Sequence, residues 1–296
     1  MSSVSVIVVN FNGYNYTRKA VESVLRHAAG CEIIIVDNNS SDRSQAVIPV
    51  QFPQVKLVCL QENRGFGPAN NVGASHAGGQ YLFFLNNDTL LLEDTPGQLA
   101  RCFEEQSHIG ICGPKIVNED GTFQVSFGRG PSMIGEWKTR RLQRRASREN
   151  RRRPRTSLHD IRLPKRVDWV TGAALMIPKN LFRRIGGFDE QFFMYFEDVD
   201  LCRRVAAEGY QIRFVPETKL VHFGGMSVSK GDEKIAFEYR RSQIYCYTKH
   251  TSLLEQVALR SYLAVKFLSQ LLFAFFRPAQ SRDLYRRLIK LALAPR

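Results

Sequence analysis

Apolar residues along this chain recur with two periods. Val4-Ser5-Val6-Ile7-Val8-Val9, Glu32–Val36 (EIIIV), Val55–Leu60 and Tyr81–Leu85 (YLFFL) are short runs dominated by β-branched, aliphatic and aromatic residues, and each reads as a strand. Between the first two, Tyr16–Leu25 places Ala20, Val21, Val24 and Leu25 at helical spacing. A short helix follows Asp42, and another runs from Pro68 to about Ala77 with its proline in the first turn. Strand, polar turn and helix in repetition is the pattern of parallel βαβ units. Tyr81–Leu85 has no polar interruption, so it predicts a strand buried on both faces in the middle of a helix-covered sheet. Further on, Glu93–Gln106 reads as a helix, Ile109–Ile116 as a strand and Gln211–Pro216 as an edge strand. Asp198–Glu208 reads as a helix whose acidic start and Arg203-Arg204 suit its dipole. Glu233–Phe276 is largely helical, Arg277-Pro278 breaks it, and a basic helix closes the chain.

Three of the strands stop at clusters of small polar residues: Asn10-Phe11-Asn12-Gly13, Asp37-Asn38-Asn39-Ser40-Ser41-Asp42 and Asn86-Asn87-Asp88. Ligands of open α/β sheets bind at the carboxyl ends of the strands. A carboxylate there can hold a divalent cation and, through it, a diphosphate. Asn and Asp are also common turn formers, and Asn86-Asn87-Asp88 alone reads equally well as a turn. The first strand is followed by no G-x-G-x-x-G, and the chain has no G-x-x-x-x-G-K-[ST], which excludes the standard dinucleotide fingerprint and a P-loop.

The 296 residues suffice for one large or two small domains, and the formal net charge of +14 predicts an anionic partner. Between Lys138 and Arg166 stand thirteen basic residues against Glu149 and Asp160, so most of the excess lies there. This stretch reads as a solvated, poorly ordered surface insertion, or as a clamp for anionic lipid headgroups or a phosphate-bearing acceptor. Nucleic acid is disfavoured, because only Trp137 and His159 could stack on bases. The segment from Leu253 through Phe276 to the basic end at 296 suits either an amphipathic helix in a membrane interface or one packed on the rest of the protein. The cysteines at 31, 59, 102, 112, 202 and 246 have neither C-x-x-C nor finger spacing, which predicts reduced thiols in a cytosolic compartment. No secretory leader and no 18-residue apolar run is read.

Taken in order from Ser3 to Ser227, VIVVNFNG, IIIVDNNSSD, ENRGFGPANNVGA, YLFFLNNDT, VTGAALMIP, GGFDEQFFMYFEDVDLCRR and VHFGG resemble the family 2 inverting glycosyltransferases of GT-A fold, in particular the bacterial rhamnosyltransferase-like branch. The resemblance implies an α/β fold, a Rossmann-like and mostly parallel central sheet flanked by helices, with a C-terminal helical extension. Residues 1–230 would form the catalytic domain, with the basic insertion 138–166, and 231–296 an amphipathic helical region. The family's D-x-D motif falls on Asn86-Asn87-Asp88, with Asn in its first position. That implies Asp88 as the main ligand of Mg²⁺ or Mn²⁺. His222 stands where some members supply a further ligand, although a lone His at a strand end also reads as structural. The family's catalytic pair falls on Glu197-Asp198, with Asp198 as general base and Glu197 orienting the acceptor or the loop. Without the resemblance these acids read as helix capping.

Nucleotide-sugar contacts are implied at Asn10, Asn12, Asp37, Asn39, Arg64, Gly65, Asn71, Asn87 and Gly172. The implied donor is dTDP-L-rhamnose, with UDP-hexoses next. The implied acceptor is a cell-surface glycan on a polyprenyl diphosphate. The place of work would be the inner face of the cytoplasmic membrane, bound peripherally through 138–166 and 253–296. Rival readings are a non-catalytic nucleotide-sugar binder, a nucleotidyltransferase and a nucleic-acid-binding protein.

Overall fold

The computed structural model describes residues 3–152, 165–224, 232–273 and 279–294. In chain order the elements are β1 (Val4–Asn10), α1 (Tyr14–His27), β2 (Glu32–Asp37), α2 (Ser44–Gln51), β3 (Lys56–Cys59), α3 (Phe66–His76), β4 (Tyr81–Asn86), β5 (Thr89–Leu91), α4 (Thr95–Glu105), β6 (Ile109–Val117), β7 (Phe123–Gln124), β8 (Phe127–Gly128) and α5 (Met133–Arg152). There follow β9 (Lys165–Val167), β10 (Trp169–Val170), β11 (Ala174–Pro178), α6 (Lys179–Arg184), α7 (Glu197–Ala207), β12 (Gln211–His222), α8 (Glu233–His250), α9 (Leu253–Phe273) and α10 (Ala279–Leu293).

The main sheet has the order β3-β2-β1-β4-β11-β6-β12-β5. Parallel pairs join β3 to β2, β2 to β1, β1 to β4 and β6 to β12, while β11 runs antiparallel to β4 and β6, and β5 to β12. The apolar strands are buried on both faces because their side chains alternate between two cores. Val6, Val8, Ile33, Ile35, Phe83 and Leu85 face one core with Val21, Val24, Ile48 and Leu99. Ile7, Ile34, Leu82 and Phe84 face the other with Ala69, Leu175, Phe182 and Leu201. Phe84 meets Phe182 and Phe188 at ring-centroid distances of 5.1 and 5.0 Å. Removing a ring buried in this way costs about 3–5 kcal/mol.

Register places the polar clusters together. Asn10 pairs with Asp37, and Val9 with Asn86, so the ends of β1, β2 and β4 share one edge of the sheet.

Two expectations need correction. The segment from Gln211 is not an edge strand: β12 continues to His222 and lies between β6 on one side and β9 and β5 on the other. Its proline is tolerated because Pro216 falls in a register shift between Val215 and Lys219, where no ladder donor is needed. The basic stretch is not irregular where it is described, since residues 138–152 continue α5. Arg, Gln, Leu and Ala are good helix formers, and Leu142 and the buried Ala146, one turn apart, pack on the second core. Arg153, Arg155, Arg162 and the rest of 153–164 lie outside the described residues, as do Gly225, Phe275, Phe276, Arg277 and Pro278.

α8, α9 and α10 share a third core made by Ile244, Tyr247, Leu259, Leu263, Phe267, Leu288 and Ala292. The buried face of α9 is thus covered by its neighbouring helices, while its other face, with Val257, Val265, Leu268 and Leu272, is exposed. Among the described residues no helix is long and apolar enough to cross a membrane.

Candidate functional site

A cavity of about 650 Å³ opens at the shared strand edge, lined by Asn38, Gly65, Asn87, Asp88, Gly172, Glu197, Asp198 and His222, among others. Its walls are built by hydrogen bonds between the polar clusters. Asn10 and Asp37, both fully buried, bind each other: Asn10 Nδ2 donates to Asp37 Oδ2 at 2.7 Å. Asp37 Oδ1 also accepts from Ser40 N (2.9 Å) and Gln45 Nε2 (2.7 Å). Thr17 Oγ1 donates to Asn10 Oδ1 at 2.6 Å, and Asn87 Nδ2 donates to Thr17 Oγ1 at 3.2 Å. Asn12 and Asn39 lie at the exposed rim with left-handed backbones (φ 51° and 64°), a conformation Asn tolerates well. Asn12 Oδ1 accepts from Ser41 N at 2.7 Å.

The loop after β3 is held by Asn38, whose Nδ2 donates to Asn63 Oδ1 (2.9 Å) and Gly65 O (3.0 Å) while its Oδ1 accepts from Arg64 N (2.9 Å). Gly65 has φ +91°, and a Cβ there would lie 2.2 Å from Phe193 O, so only glycine fits. Phe66 N donates to the same carbonyl at 2.8 Å, which joins this loop to the turn that precedes α7.

That turn carries the acid pair. Tyr195 and Phe196 both have left-handed backbones (φ 68° and 66°), a conformation that costs bulky residues roughly 1 kcal/mol or more each. Tyr239 of α8 packs on both rings at 5.3 Å, and Ser242 Oγ donates to Met194 O at 2.8 Å, so the turn is clamped from outside. The strained turn delivers Glu197 and Asp198 to the cavity at the start of α7. Asp198 accepts from Gly172 N at Oδ2 and from Val199 N at Oδ1, both at 2.8 Å. Burial pushes its carboxyl above the ordinary range, and those hydrogen bonds work against the rise. Burial, and next the Asp198 charge, push Glu197 well up. Its Oε2 has no hydrogen-bond partner among the described residues.

Across the cavity Asp88 meets His222, with Oδ1 3.1 Å from Nε2. Behind the imidazole, Nδ1 lies 2.7 Å from Gln124 Oε1. Gln124 is itself oriented, its Nε2 donating to Asn118 Oδ1 at 3.4 Å. Gln124 Oε1 accepts a hydrogen bond from Nδ1–H, so Nε2 either donates to Asp88 Oδ1 or, with a cation bound, would offer its lone pair beside that oxygen. Two acceptors in that position attract a shared cation. An imidazole nitrogen beside a carboxylate suits Mn²⁺ better than Mg²⁺, which prefers an all-oxygen shell. Among the described residues no group of three or more His, Cys, Asp and Glu gathers as a metal cluster, so further ligands would have to come from substrate and water.

α7 is braced from below. Asp200, fully buried, accepts from Arg204 Nε (2.8 Å), Lys249 Nζ (2.7 Å) and His250 Nε2 (2.7 Å). Arg204 also donates to Ile185 O (2.8 Å) and Gly187 O (2.7 Å).

Asn10, Asn12, Asp37, Asn39, Arg64 and Asn71 lie outside the cavity lining. Arg64 Nη2 pairs with Glu190 at 3.0 Å, and Asn71 grips the Phe188 backbone, donating to its O and accepting from its N, both at 2.8 Å. Sequence reasoning passed over Asn38, Gln124 and the α8 brace. Asn38 had a signal in its place within the second polar cluster. Gln124 and α8 had none, because they reach the site only through the tertiary fold.

Residues 5–183, more than half of the chain, match the Glycosyl transferase family 2 domain. The chain belongs to glycosyl transferase family 2. It is therefore a glycosyltransferase, and its GT-A-type sheet is the scaffold described above. Residues 152–225 also match the N-terminal domain of galactosyltransferase. Among curated relatives, the N-acetylglucosaminyl-diphospho-decaprenol L-rhamnosyltransferase of Mycobacterium tuberculosis is 26% identical over 266 residues, covering 79% of this chain and 83% of the relative. A dTDP-rhamnosyl transferase of Shigella flexneri is 20% identical over 224 residues, covering 75% and 69%. Among solved structures, GalNAc-T7 with UDP, GalNAc and Mn²⁺ superposes with a TM-score of 0.63 at 16% identity. The match covers 99% of this glycosyltransferase and 56% of that chain.

Proposed function

We propose that this enzyme transfers a sugar with inversion from a nucleotide diphosphate donor, dTDP-L-rhamnose first and a UDP-hexose next, to a hydroxyl of a polyprenyl-diphosphate-linked glycan. The observation that carries the reading is the geometry around Asp198. A carboxylate held by two backbone N–H groups lines the same cavity as the Asp88–His222 pair, and its affinity for protons is raised. A general base works best when its pKa lies nearer the operating pH, and burial moves Asp198 in that direction.

In a single in-line displacement the acceptor oxygen attacks the anomeric carbon as the bond to the diphosphate breaks. Asp198 takes the acceptor proton. Glu197, kept neutral by burial, donates a hydrogen bond from its unpartnered carboxyl to orient the acceptor. Asp88 and His222 would hold the divalent cation, whose charge neutralises the departing diphosphate. Asn10, Asp37, Asn12 and Asn39 form the nucleotide end, where Asn10 and Asp37 act by fixing the loop and the rim residues by touching the ligand. Residues 1–230 would carry catalysis and 231–296 would brace it, at a membrane surface where the lipid-linked acceptor resides.

The names of the Mycobacterium and Shigella relatives support the rhamnosyl donor and the diphospholipid acceptor, and Mn²⁺ in the GalNAc-T7 structure supports the cation. The test is thermal stability against a panel of nucleotides with and without Mn²⁺. A metal-dependent rise with dTDP, exceeding that with UDP and absent with GDP and ADP, is expected, since a ligand of the folded state raises Tm with its affinity. A rise with UDP alone would transfer the reading to a UDP-hexose, and no rise with any nucleotide would remove the donor site.

A further inference from the structure

Beside the catalytic cavity lies a second one of about 580 Å³, between α5 and α9. Arg140, Arg141, Arg144 and Arg145 line it from α5, together with Trp137, and Leu259 and Tyr262 from α9. Glu136 and Arg140 line both cavities, so the two adjoin. Glu136 neutralises only one of these four guanidiniums, that of Arg140. Its Oε1 accepts from Gln243 (2.7 Å) and Tyr247 (2.9 Å), and its Oε2 already pairs with Arg140 at 3.0 Å. Among the described residues no ion pair holds Arg141, Arg144 or Arg145, and all three are exposed. Beyond Tyr262, where the lining ends, α9 presents Val265, Leu268 and Leu272 at three- and four-residue spacing, each more than half exposed.

Four guanidiniums beside a bare apolar stripe fit an amphiphile with a strongly anionic head and a long hydrocarbon chain. We propose that this groove binds the lipid end of the acceptor. The diphosphate would sit on Arg140, Arg141, Arg144 and Arg145, and the prenyl chain would lie along Tyr262, Val265, Leu268 and Leu272. The inference rests on the lipid-linked acceptor of the proposed function and adds a constraint to it. Because Arg140 serves both cavities, the accepting sugar is one close to the diphosphate rather than the far end of a long glycan. A bulk phospholipid surface would use the same charges, but it would gain nothing from their adjoining the catalytic cavity.

The test uses the full chain and a variant combining Arg141→Gln, Arg144→Gln and Arg145→Gln. Gln keeps helix propensity at these exposed positions, and Arg140 is left intact because it lines the catalytic cavity. Geranylgeranyl diphosphate in detergent is titrated while tryptophan emission is followed, since Trp137 is exposed in the groove and would shift to the blue when covered. The expected result is binding by the wild type, weakened about tenfold or more in the variant, with inorganic diphosphate binding more weakly than the prenyl compound. Equal affinity of the two proteins would overturn the proposal. So would equal binding of inorganic and prenyl diphosphate by the wild type, or a preference for phosphatidylcholine vesicles doped with phosphatidylglycerol. The titration needs neither donor nor turnover, so a failure of nucleotide binding would strike the proposed reaction and leave this result readable.

Discussion

Asp200→Asn tests whether the charged brace beneath α7 holds the acid pair in place. In the wild type, burial alone would raise the Asp200 pKa. The hydrogen bond from His250, the Arg204 charge and Lys249 outweigh it and hold the carboxyl at about 2, against an ordinary 3.8. That depression corresponds to roughly 2 kcal/mol favouring the folded state while Asp200 is charged. Replacement by Asn removes this contribution, leaves Lys249 with Asp189 as its carboxylate partner and takes from Arg204 its partner Asp200, and breaking one side of a buried pair costs about 3–5 kcal/mol. For a chain of this size that is a fall in Tm of roughly 10 °C.

The pH dependence has a definite sign. A depressed carboxyl stabilises above its unfolded pKa and loses that contribution as pH falls through its folded pKa. The gap between wild type and Asp200→Asn is therefore full at neutral pH and narrows by roughly 2 kcal/mol between about pH 4 and pH 2. Urea unfolding followed by far-ultraviolet circular dichroism at a series of pH values reads both quantities. A gap below about 1 kcal/mol at neutral pH, or one unchanged down to pH 3, would refute the brace.

Asp198→Asn should lower kcat by about 10²- to 10⁴-fold while the nucleotide-dependent rise in Tm persists; retained turnover removes Asp198 as base. Because burial raises the Asp198 pKa, the acid limb of kcat/KM should lie above the ordinary aspartate range, activity falling as pH drops through it; a limb at or below that range contradicts the assignment. Gln124→Ala, which frees Nδ1 of His222, should weaken Mn²⁺ activation about 10- to 100-fold with little change in donor KM at saturating metal, and unchanged metal affinity would remove His222 as a ligand. Gly65→Ala meets Phe193 O at a left-handed backbone and should destabilise the chain by about 1–3 kcal/mol in chemical denaturation; a neutral outcome would show that the Gly65 loop moves freely from the α7 turn.

What the sequence revealed of the fold follows from what local pattern can encode. The two-faced burial of Tyr81–Leu85 and the common edge of the polar clusters after β1, β2 and β4 depend on side-chain type within single segments, and both were legible. β11 was not read as a strand. VTGAALMIP has the apolar content, but its insertion between β4 and β6 is a choice of topology, and no periodicity records it. The helix over 138–152 was obscured by charge, because eight basic residues outweigh in appearance the two apolar positions that dock it. At the site, residue type identified the chemistry and left its geometry open. Asn71 has the same polar side chain whether it meets a ligand or, as here, the Phe188 backbone. Tyr239 and Ser242 carry no polar motif, so their hold on the α7 turn was invisible until α8 was seen against it.

The C-terminal helices are tied to the chemistry by an energetic necessity at α7. Glu197, Asp198 and Asp200 crowd the first turn of one helix, and the two nearest the cavity are buried and raised in pKa. The helix dipole offsets only about 0.3–1 kcal/mol per charge at such a position, less than burial and mutual repulsion cost. The remaining stabilisation has to come from the partners of Asp200: Arg204 on α7 itself, and Lys249 and His250 from the end of α8. The same helix clamps the left-handed Tyr195-Phe196 turn with Tyr239. α8 thus stabilises both strained features of the acid pair, the conformation before it and the charge behind it. α9 and α10, which share a core with α8, in turn hold that helix in position. A chain cut after β12 would keep the sheet edge and the Asp88–His222 pair and lose the alignment of Asp198.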